Sequence, residues 1–181
     1  MSEQHTQSLR YRIASLDEKL SGRIRQLVAL RSKVSWACLL VAHAGDGIVC
    51  IAGLALAALL LPSTRIPVAR MLLASLLAAG LVGAGKLAFR RPRPIADDSH
   101  RWSSLGRHDK HAFPSGHAAR TASIAAVASY ISPALGLAAW AWSSGVSLCR
   151  VALGAHYAGD IVVGLALGTL AAWVVQALGW P

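Results

Sequence analysis

Long apolar segments, each able to cross a lipid bilayer, constrain this chain more than any other feature. An apolar helix needs about 20 residues to span the hydrocarbon core of a membrane. Hydrophobic residues make up 55% of the chain and charged residues only 14%, which is typical of a membrane protein rather than a soluble domain. Backbone groups in lipid must be hydrogen-bonded within their own segment. The predicted fold class is therefore all-α, a polytopic membrane helix bundle.

The apolar segments predict about five transmembrane helices. In the first, residues 34–61, the Gly45-Asp46-Gly47 sequence separates a short leading helix, 34–43, from the span proper, and Asp46 is expected to cap that span. The other spans are expected at about 68–89, 115–131, 134–149 and 157–180. A polar loop, residues 90–113, connects the second span to the third.

Residues 1–33 are expected to form a basic amphipathic N-terminal segment, separate from the membrane-embedded domain of residues 34–181. Between Leu9 and Leu30, apolar side chains recur every three or four residues, and basic side chains fill the other faces. This pattern predicts an interfacial helix on the bilayer surface. The alternative is a solvated arm with weak helicity.

The net charge of +10 indicates phosphate groups as partners rather than nucleic acid. The basic residues fall in blocks, within residues 1–33 and 90–111, and do not form a helical stripe with interleaved aromatic residues. Such blocks attract lipid head groups or a phosphorylated substrate, and attraction of anionic head groups is expected of five basic residues of the loop: Arg90, Arg91, Arg101, Arg107 and Lys110. Membrane lipids and a lipid phosphate are the expected partners, whereas the sequence gives no oligomeric state.

Alternating spans would bring a set of polar and ionisable residues to one face of the membrane. These residues lie at the end of the second span, the start of the third, the end of the fourth and the start of the fifth. In that order they are Lys86 and Arg93, then Ser115, Gly116 and His117, then Arg150, and finally His156 and Asp160. Ionisable side chains at membrane depth are costly and are functional by default.

The cations and the start of the third span suit a phosphate group. Lys86, Arg93 and Arg150 supply three positive charges, two of them guanidinium forks that match phosphate oxygens. Ser115, after a proline, can open a helix whose free N–H groups face an anion, and Gly116 permits close backbone approach. Together they predict a cradle for an oxyanion.

The two histidines suit phosphoryl transfer. His156 and Asp160 are four residues apart, and they share one helical face if the fifth span begins early enough. The carboxylate would then orient and polarise the imidazole as a nucleophile. His117 would serve as the acid that protonates the departing alkoxide, or as the base that activates water.

Three separated motifs resemble the signatures of the type-2 phosphatidic acid phosphatase family, which also includes vanadium haloperoxidases. The motifs are K-L-A-F-R-R-P-R-P from Lys86, P-S-G-H from Pro114 and C-R-V-A-L-G-A-H-Y-A-G-D from Cys149. They occur in the order and with the internal spacing of the family. Cys149 is a departure, since serine is common before this arginine.

The resemblance implies a membrane phosphohydrolase that acts on a lipid phosphate or diphosphate through a phospho-histidine, without a metal or other cofactor. It implies that His156 is the nucleophile, Asp160 its supporting carboxylate and His117 the general acid. It also assigns phosphate binding to basic residues and a serine, namely Lys86, Arg93, Arg150 and Ser115. Substrates of the polyprenyl phosphate or diphosphate, phosphatidate, phosphatidylglycerol phosphate and lipid A phosphate types all fit. The alternatives are a lipid phosphotransferase with the same phospho-enzyme and a non-catalytic lipid-binding protein.

Several polar residues near the motifs have two interpretations. Arg120, one turn after His117, either contacts substrate or extends to the bilayer surface. His43 and Asp46 lie on the side of the motifs, where capping of the span is favoured over a role at the border of the site.

A metal site is not expected in the polar loop. His108, Asp109 and His111 have the composition of metal ligands, but they lie in a loop without supporting ligands. A solvated lid or a contact with head groups is favoured for them.

The distribution of basic residues gives the expected location. Five spans place the N-terminus and the catalytic loop on one side of the membrane, and the seven basic residues of 1–33 favour the cytoplasm for it. We expect an integral protein of a bacterial inner membrane, with an active site that faces the cytoplasm.

Overall fold

The computed structural model describes residues 3–29, 32–94 and 110–179, and the fold is an all-α bundle. Within these residues seven α-helices follow one another: α1 (Glu3–Ala29), α2 (Ser32–His43), α3 (Gly47–Leu60), α4 (Arg65–Phe89), α5 (Gly116–Ile131), α6 (Pro133–Ala152) and α7 (Ala158–Ala177). A single 3-10 turn, Pro62–Thr64, joins α3 to α4. The expected fold class is confirmed.

Several helices have the length and composition of membrane spans. In the described part of the chain, α4 with the preceding turn and α7 meet both criteria, and α2 and α3 together make a third segment that is bent by 58°. The bend lies at the Gly45-Asp46-Gly47 sequence, as expected. The chain is therefore an integral membrane protein, and its helices lie close to the predicted spans.

Helix α5 is the centre of the bundle. Ten of its 16 residues are buried, between Ala118 and Ala128. It packs against α4, α6 and α7. Small side chains make this possible, because alanine and serine let neighbouring helices approach closely.

Two glycines bring α7 against the start of α5. A Cβ atom on Gly164 would lie 2.5 Å from the carbonyl oxygen of Ser115, and one on Gly168 would overlap the carbonyl of Ala119. The close contact sets the starts of α5 and α7 side by side. There the backbone N–H of Ser115 donates to the carbonyl oxygen of Asp160 at 3.1 Å.

The N-terminal helix α1 packs on the ends of α6 and α7. Its inner side buries Ser21 completely and places Ile24 against a small apolar cluster of the bundle. Its other side exposes Leu16, Leu20 and Leu27. The amphipathic pattern in the sequence thus corresponds to a helix with one side on the protein and an apolar side left uncovered.

The expectation that the Asp46 side chain caps α3 is wrong. Asp46 precedes the helix, but its carboxylate makes no capping hydrogen bond. It pairs instead with the imidazole rings of His43 and His117.

Candidate active site

His156 lies in the loop between α6 and α7 and is 1% exposed. Its Nδ1 atom lies 2.7 Å from the carbonyl oxygen of Ala112. A carbonyl oxygen can only accept, so Nδ1 carries the hydrogen and a neutral ring keeps its lone pair on Nε2. The contact with Ala112 therefore selects the tautomer that presents Nε2 as a nucleophile.

The surroundings of His156 keep its ring neutral. Burial lowers the pKa of His156 to about 4, and the positive charges of Arg150 and Arg93 act in the same direction, against the opposing effect of Asp160. At neutral pH the ring is uncharged and holds the lone pair that nucleophilic attack requires.

Asp160 supports His156 from a distance rather than through a hydrogen bond. Its Oδ2 atom lies 3.7 Å from Nδ1 of His156, and the same oxygen accepts from the backbone N–H of Tyr157 at 2.8 Å. Helix α7 begins only at Ala158, so His156 and Asp160 do not share a helical face. The backbone N–H of Tyr157 is the closer partner of Oδ2, because an N–H group at a helix start has no carbonyl partner within the helix.

Asp46 connects His117 to a second histidine. Its Oδ1 atom lies 2.6 Å from Nε2 of His117, and its Oδ2 atom lies 2.7 Å from Nδ1 of His43. A carboxylate only accepts, so both imidazole nitrogens are donors. The sequence favoured capping over a role at the site for His43 and Asp46, although an ionisable pair within an otherwise apolar segment was a signal for such a role.

Two of the three predicted cations, Arg93 and Arg150, lie near His156. Arg93 Nη1 donates to the carbonyl oxygen of Ala155, the residue before His156, at 3.1 Å. Arg150 is 8% exposed, and its charge lies within electrostatic range of both His117 and His156. Two buried or half-buried guanidinium groups therefore flank the candidate nucleophile.

Lys86 faces a cavity of about 270 Å³ between α4 and α5. Lys86, Gly116 and Arg120 line its polar part, and the remaining lining is apolar apart from one serine: Ser75, Ala79, Val82 and Gly83. Arg120 Nη1 donates to the carbonyl oxygen of Gly45 at 3.1 Å, so this side chain stays inside the protein rather than extending to the bilayer surface. The cavity joins a cationic end to an apolar wall.

Ser115 and Gly116 form the start of α5, as expected from the sequence. Ser115 is fully buried, and its Oγ atom accepts from the backbone N–H of Ala118 at 3.4 Å. Backbone N–H groups in the first turn of a helix generally have no carbonyl partner within the helix, and this geometry suits the binding of an anion. All eight site residues predicted from the sequence thus lie at this end of the bundle or line the cavity that opens there.

Arg91 was expected to contact lipid head groups, and that expectation is wrong. Its Nη1 atom donates to Asp160 Oδ1 at 2.8 Å, and its Nη2 atom donates to Asp17 Oδ2 at 2.9 Å. Charge-assisted hydrogen bonds to these two carboxylates hold the guanidinium group inside the protein. Of the loop residues with the composition of metal ligands, His108 and Asp109 lie outside the described residues, and His111 forms an isolated β-bridge with Pro92.

Comparisons with known proteins point to one family. The family model described as the PAP2 superfamily matches residues 67–180. A comparison with curated protein sequences finds no significant match.

Two solved structures share the fold. The PAP2-type phosphatidylglycerolphosphate phosphatase of Bacillus subtilis superposes with a TM-score of 0.77 at 19% identity, over 92% of this chain and 86% of the other. Aquifex aeolicus LpxE superposes with a TM-score of 0.70 at 22% identity, over 88% of this chain and 93% of the other.

Proposed function

Because this chain belongs to the PAP2 superfamily, we propose that it is a membrane phosphatase that hydrolyses a lipid phosphate or diphosphate through a phospho-histidine on His156. The observation that carries the proposal is the state of this side chain. It is buried and neutral, its Nδ1 hydrogen is taken by the Ala112 carbonyl, and its Nε2 lone pair is available beside Arg93 and Arg150.

In the first step, Nε2 of His156 attacks phosphorus in line with the leaving alkoxide of the lipid. The P–O bond breaks as the N–P bond forms, and His117 gives a proton to the departing oxygen. Positive charge from Lys86, Arg93 and Arg150 stabilises the phosphoryl oxygens in the transition state.

In the second step, water attacks phosphorus and the N–P bond breaks. His117, which has given up its proton, now accepts one from the attacking water, and inorganic phosphate leaves. Asp46 supports both roles, because its carboxylate orients the His117 ring and favours its protonated form.

The cavity between α4 and α5 supports a lipid as the substrate. Its cationic end, at Lys86 and Arg120, suits a phosphorylated head group, and its wall at Ala79 and Val82 suits an acyl or prenyl chain. Phosphatidylglycerol phosphate is a natural first choice among the candidate substrates, since one solved structure of this fold is described as a phosphatase for it.

The position of the site relative to the membrane is part of the same proposal. The basic N-terminal segment, residues 1–33, favours a cytoplasmic site in a bacterial inner membrane. The exposed leucines of α1 support an interfacial location for this helix, with its apolar side in the lipid. Labelling a cysteine introduced at Asp97 in intact cells, in a variant without the native cysteines, tests the sidedness: reaction with an impermeant reagent contradicts a cytoplasmic site.

The replacement His156→Ala tests the mechanism. The purified variant should release no inorganic phosphate from a panel of lipid phosphates in detergent, and it should trap no acid-labile phospho-enzyme from labelled substrate. Tyr130→Phe is the control, because Tyr130 is exposed near the opposite end of α5. Full turnover by the His156→Ala variant refutes the mechanism, and label that appears in a second lipid instead of in phosphate identifies a phosphotransferase.

A further inference from the structure

We propose that Asp17 and Ser21 of the N-terminal helix are positioning residues for the nucleophile. They hold the start of α7 and, through Arg91, the groups that surround the His156 ring. This inference rests on the proposed function, and it adds the N-terminal helix to the machinery of the active site.

The first two N–H groups of α7, those of Ala158 and Gly159, have acceptors on α1. No hydrogen bond from the side chain of Tyr157, the N-cap residue, satisfies these two groups. Instead, the backbone N–H of Ala158 donates to Ser21 Oγ at 2.9 Å, and that of Gly159 donates to Asp17 Oδ1 at 2.9 Å. Free N–H groups at a helix start need acceptors when they are buried. Helix α1 therefore acts as a cap that is supplied from a distant part of the chain.

A glycine makes room for this cap. A Cβ atom on Gly159 would lie 2.9 Å from Asp17 Oδ2, closer than real side chains approach. The absence of a side chain at this position leaves room for the carboxylate in its present place. The sequence of α7 is thus adapted to the contact with α1.

Arg91 extends the cap to Asp160. Its guanidinium group lies between two carboxylates, with 2.9 Å to Asp17 Oδ2 and 2.8 Å to Asp160 Oδ1. The ring of Tyr157 lies 3.9 Å from the same group, so the cation is enclosed on a third side. The position of Asp160, 3.7 Å from the nucleophilic ring, depends on this arrangement.

The backbone of Arg91 also contacts Ala112, the hydrogen-bond partner of the His156 ring. Its carbonyl oxygen accepts from the N–H of Ala112 at 2.8 Å, and the carbonyl oxygen of Ala112 is the partner of His156 Nδ1 at 2.7 Å. Asp17 thus acts on the nucleophile by two routes, one through Asp160 and one through Ala112. Loss of this carboxylate should change the orientation of the His156 ring, and with it the direction of the Nε2 lone pair, without removing any group that touches phosphate.

A change in the orientation of the nucleophile lowers the rate of the chemical step more than it lowers the affinity for substrate, because phosphoryl transfer is sensitive to small displacements. For Asp17→Ala we expect kcat to fall about tenfold or more, with KM within about twofold of the wild type. Asp17→Asn keeps one acceptor oxygen for the Gly159 N–H, so its fall in kcat should be smaller. Ser21→Ala should lower kcat about threefold or more, since one N-cap acceptor is lost.

The chain offers a matched control for each change. Glu18→Gln removes the neighbouring, exposed acid of α1. Ser15→Ala removes a hydroxyl that donates to the Arg12 carbonyl of its own helix. Both should leave kcat within about twofold of the wild type, a difference too small to reflect a lost cap.

Hydrogen exchange of the Ala158 and Gly159 amides gives a readout that does not depend on turnover. These amides should exchange about tenfold faster in Asp17→Ala than in Glu18→Gln, because their acceptors are lost. Unchanged exchange, or a loss of kcat equal to that of the control, overturns the role of Asp17. Full turnover by His156→Ala would instead refute the proposed function, while the exchange of these amides would still report on the cap.

Discussion

The replacement of Asp46 separates acid catalysis from phosphate binding. Asp46 contacts the His117 ring at 2.6 Å and the His43 ring at 2.7 Å. Hydrogen bonds to charged groups contribute about 1.5–3 kcal/mol each, so loss of support for a protonated His117 should slow its proton transfer by a factor of about 10 to 150. Asp46→Ala removes both contacts, so its loss of rate should lie near the upper end of this range. In Asp46→Asn the side-chain oxygen can still accept from His117 if the NH2 group faces His43, so the loss of rate should lie near the lower end of this range.

The leaving group shows whether the loss concerns acid catalysis. An alkoxide needs a proton as it departs, whereas nitrophenolate departs readily without one. The values of kcat/KM for a lipid phosphate and for 4-nitrophenyl phosphate should be compared in the wild type, in both Asp46 variants and in the control Glu18→Gln. We expect the Asp46 variants to lose about 10- to 150-fold on the lipid, as estimated above, and only about threefold on the nitrophenyl ester. An equal loss on both substrates would refute the reasoning.

Two further predictions follow from burial and packing. The His156 ring, followed by NMR of labelled histidine, should stay neutral as the pH falls to about 5 and take up its proton near 4, so a midpoint near 6.5 would contradict the description of the nucleophile. Gly164→Val should lower the free energy of unfolding by about 1–3 kcal/mol or more and reduce activity, because its side chain would meet the Ser115 carbonyl. Gly80→Ala is the control, and it should change neither quantity, because no atom lies near a Cβ at this position. Equal melting temperatures for the two variants would show that the close crossing of α5 and α7 is not required.

The helices and the family could be predicted from the sequence because their signals are local. Helix α5 begins at Gly116, directly after the proline and serine that favour a helix start, and α6 begins at Pro133, where a helix accepts proline. The bend between α2 and α3 falls at the glycines around Asp46. The three motifs that resemble the phosphatase signatures lie in the region matched by the PAP2 superfamily, and the predicted family is confirmed.

The partners of the site residues could not be predicted, because they depend on contacts between distant parts of the chain. Asp17 and Arg91 are 74 residues apart, and Asp46 and His117 are 71 apart. The amphipathic pattern of α1 predicted its two sides but not what the polar side would contact. The spacing of His156 and Asp160 suggested a direct contact, yet the carboxylate binds the Tyr157 N–H and the Arg91 guanidinium group.

The Gly45-Asp46-Gly47 sequence shows how a local break becomes part of a site. A Cβ atom on Gly45 would lie 2.6 Å from a methyl group of Val146, so only glycine lets this break approach α6 so closely. At that distance the Gly45 carbonyl receives Arg120, and the next residue brings its carboxylate to His117. The bend thus positions two groups, His117, which is the proposed acid, and Arg120, which is a cation of the cavity. A change at Gly45 should therefore impair proton transfer to the leaving group although Gly45 itself touches neither histidine.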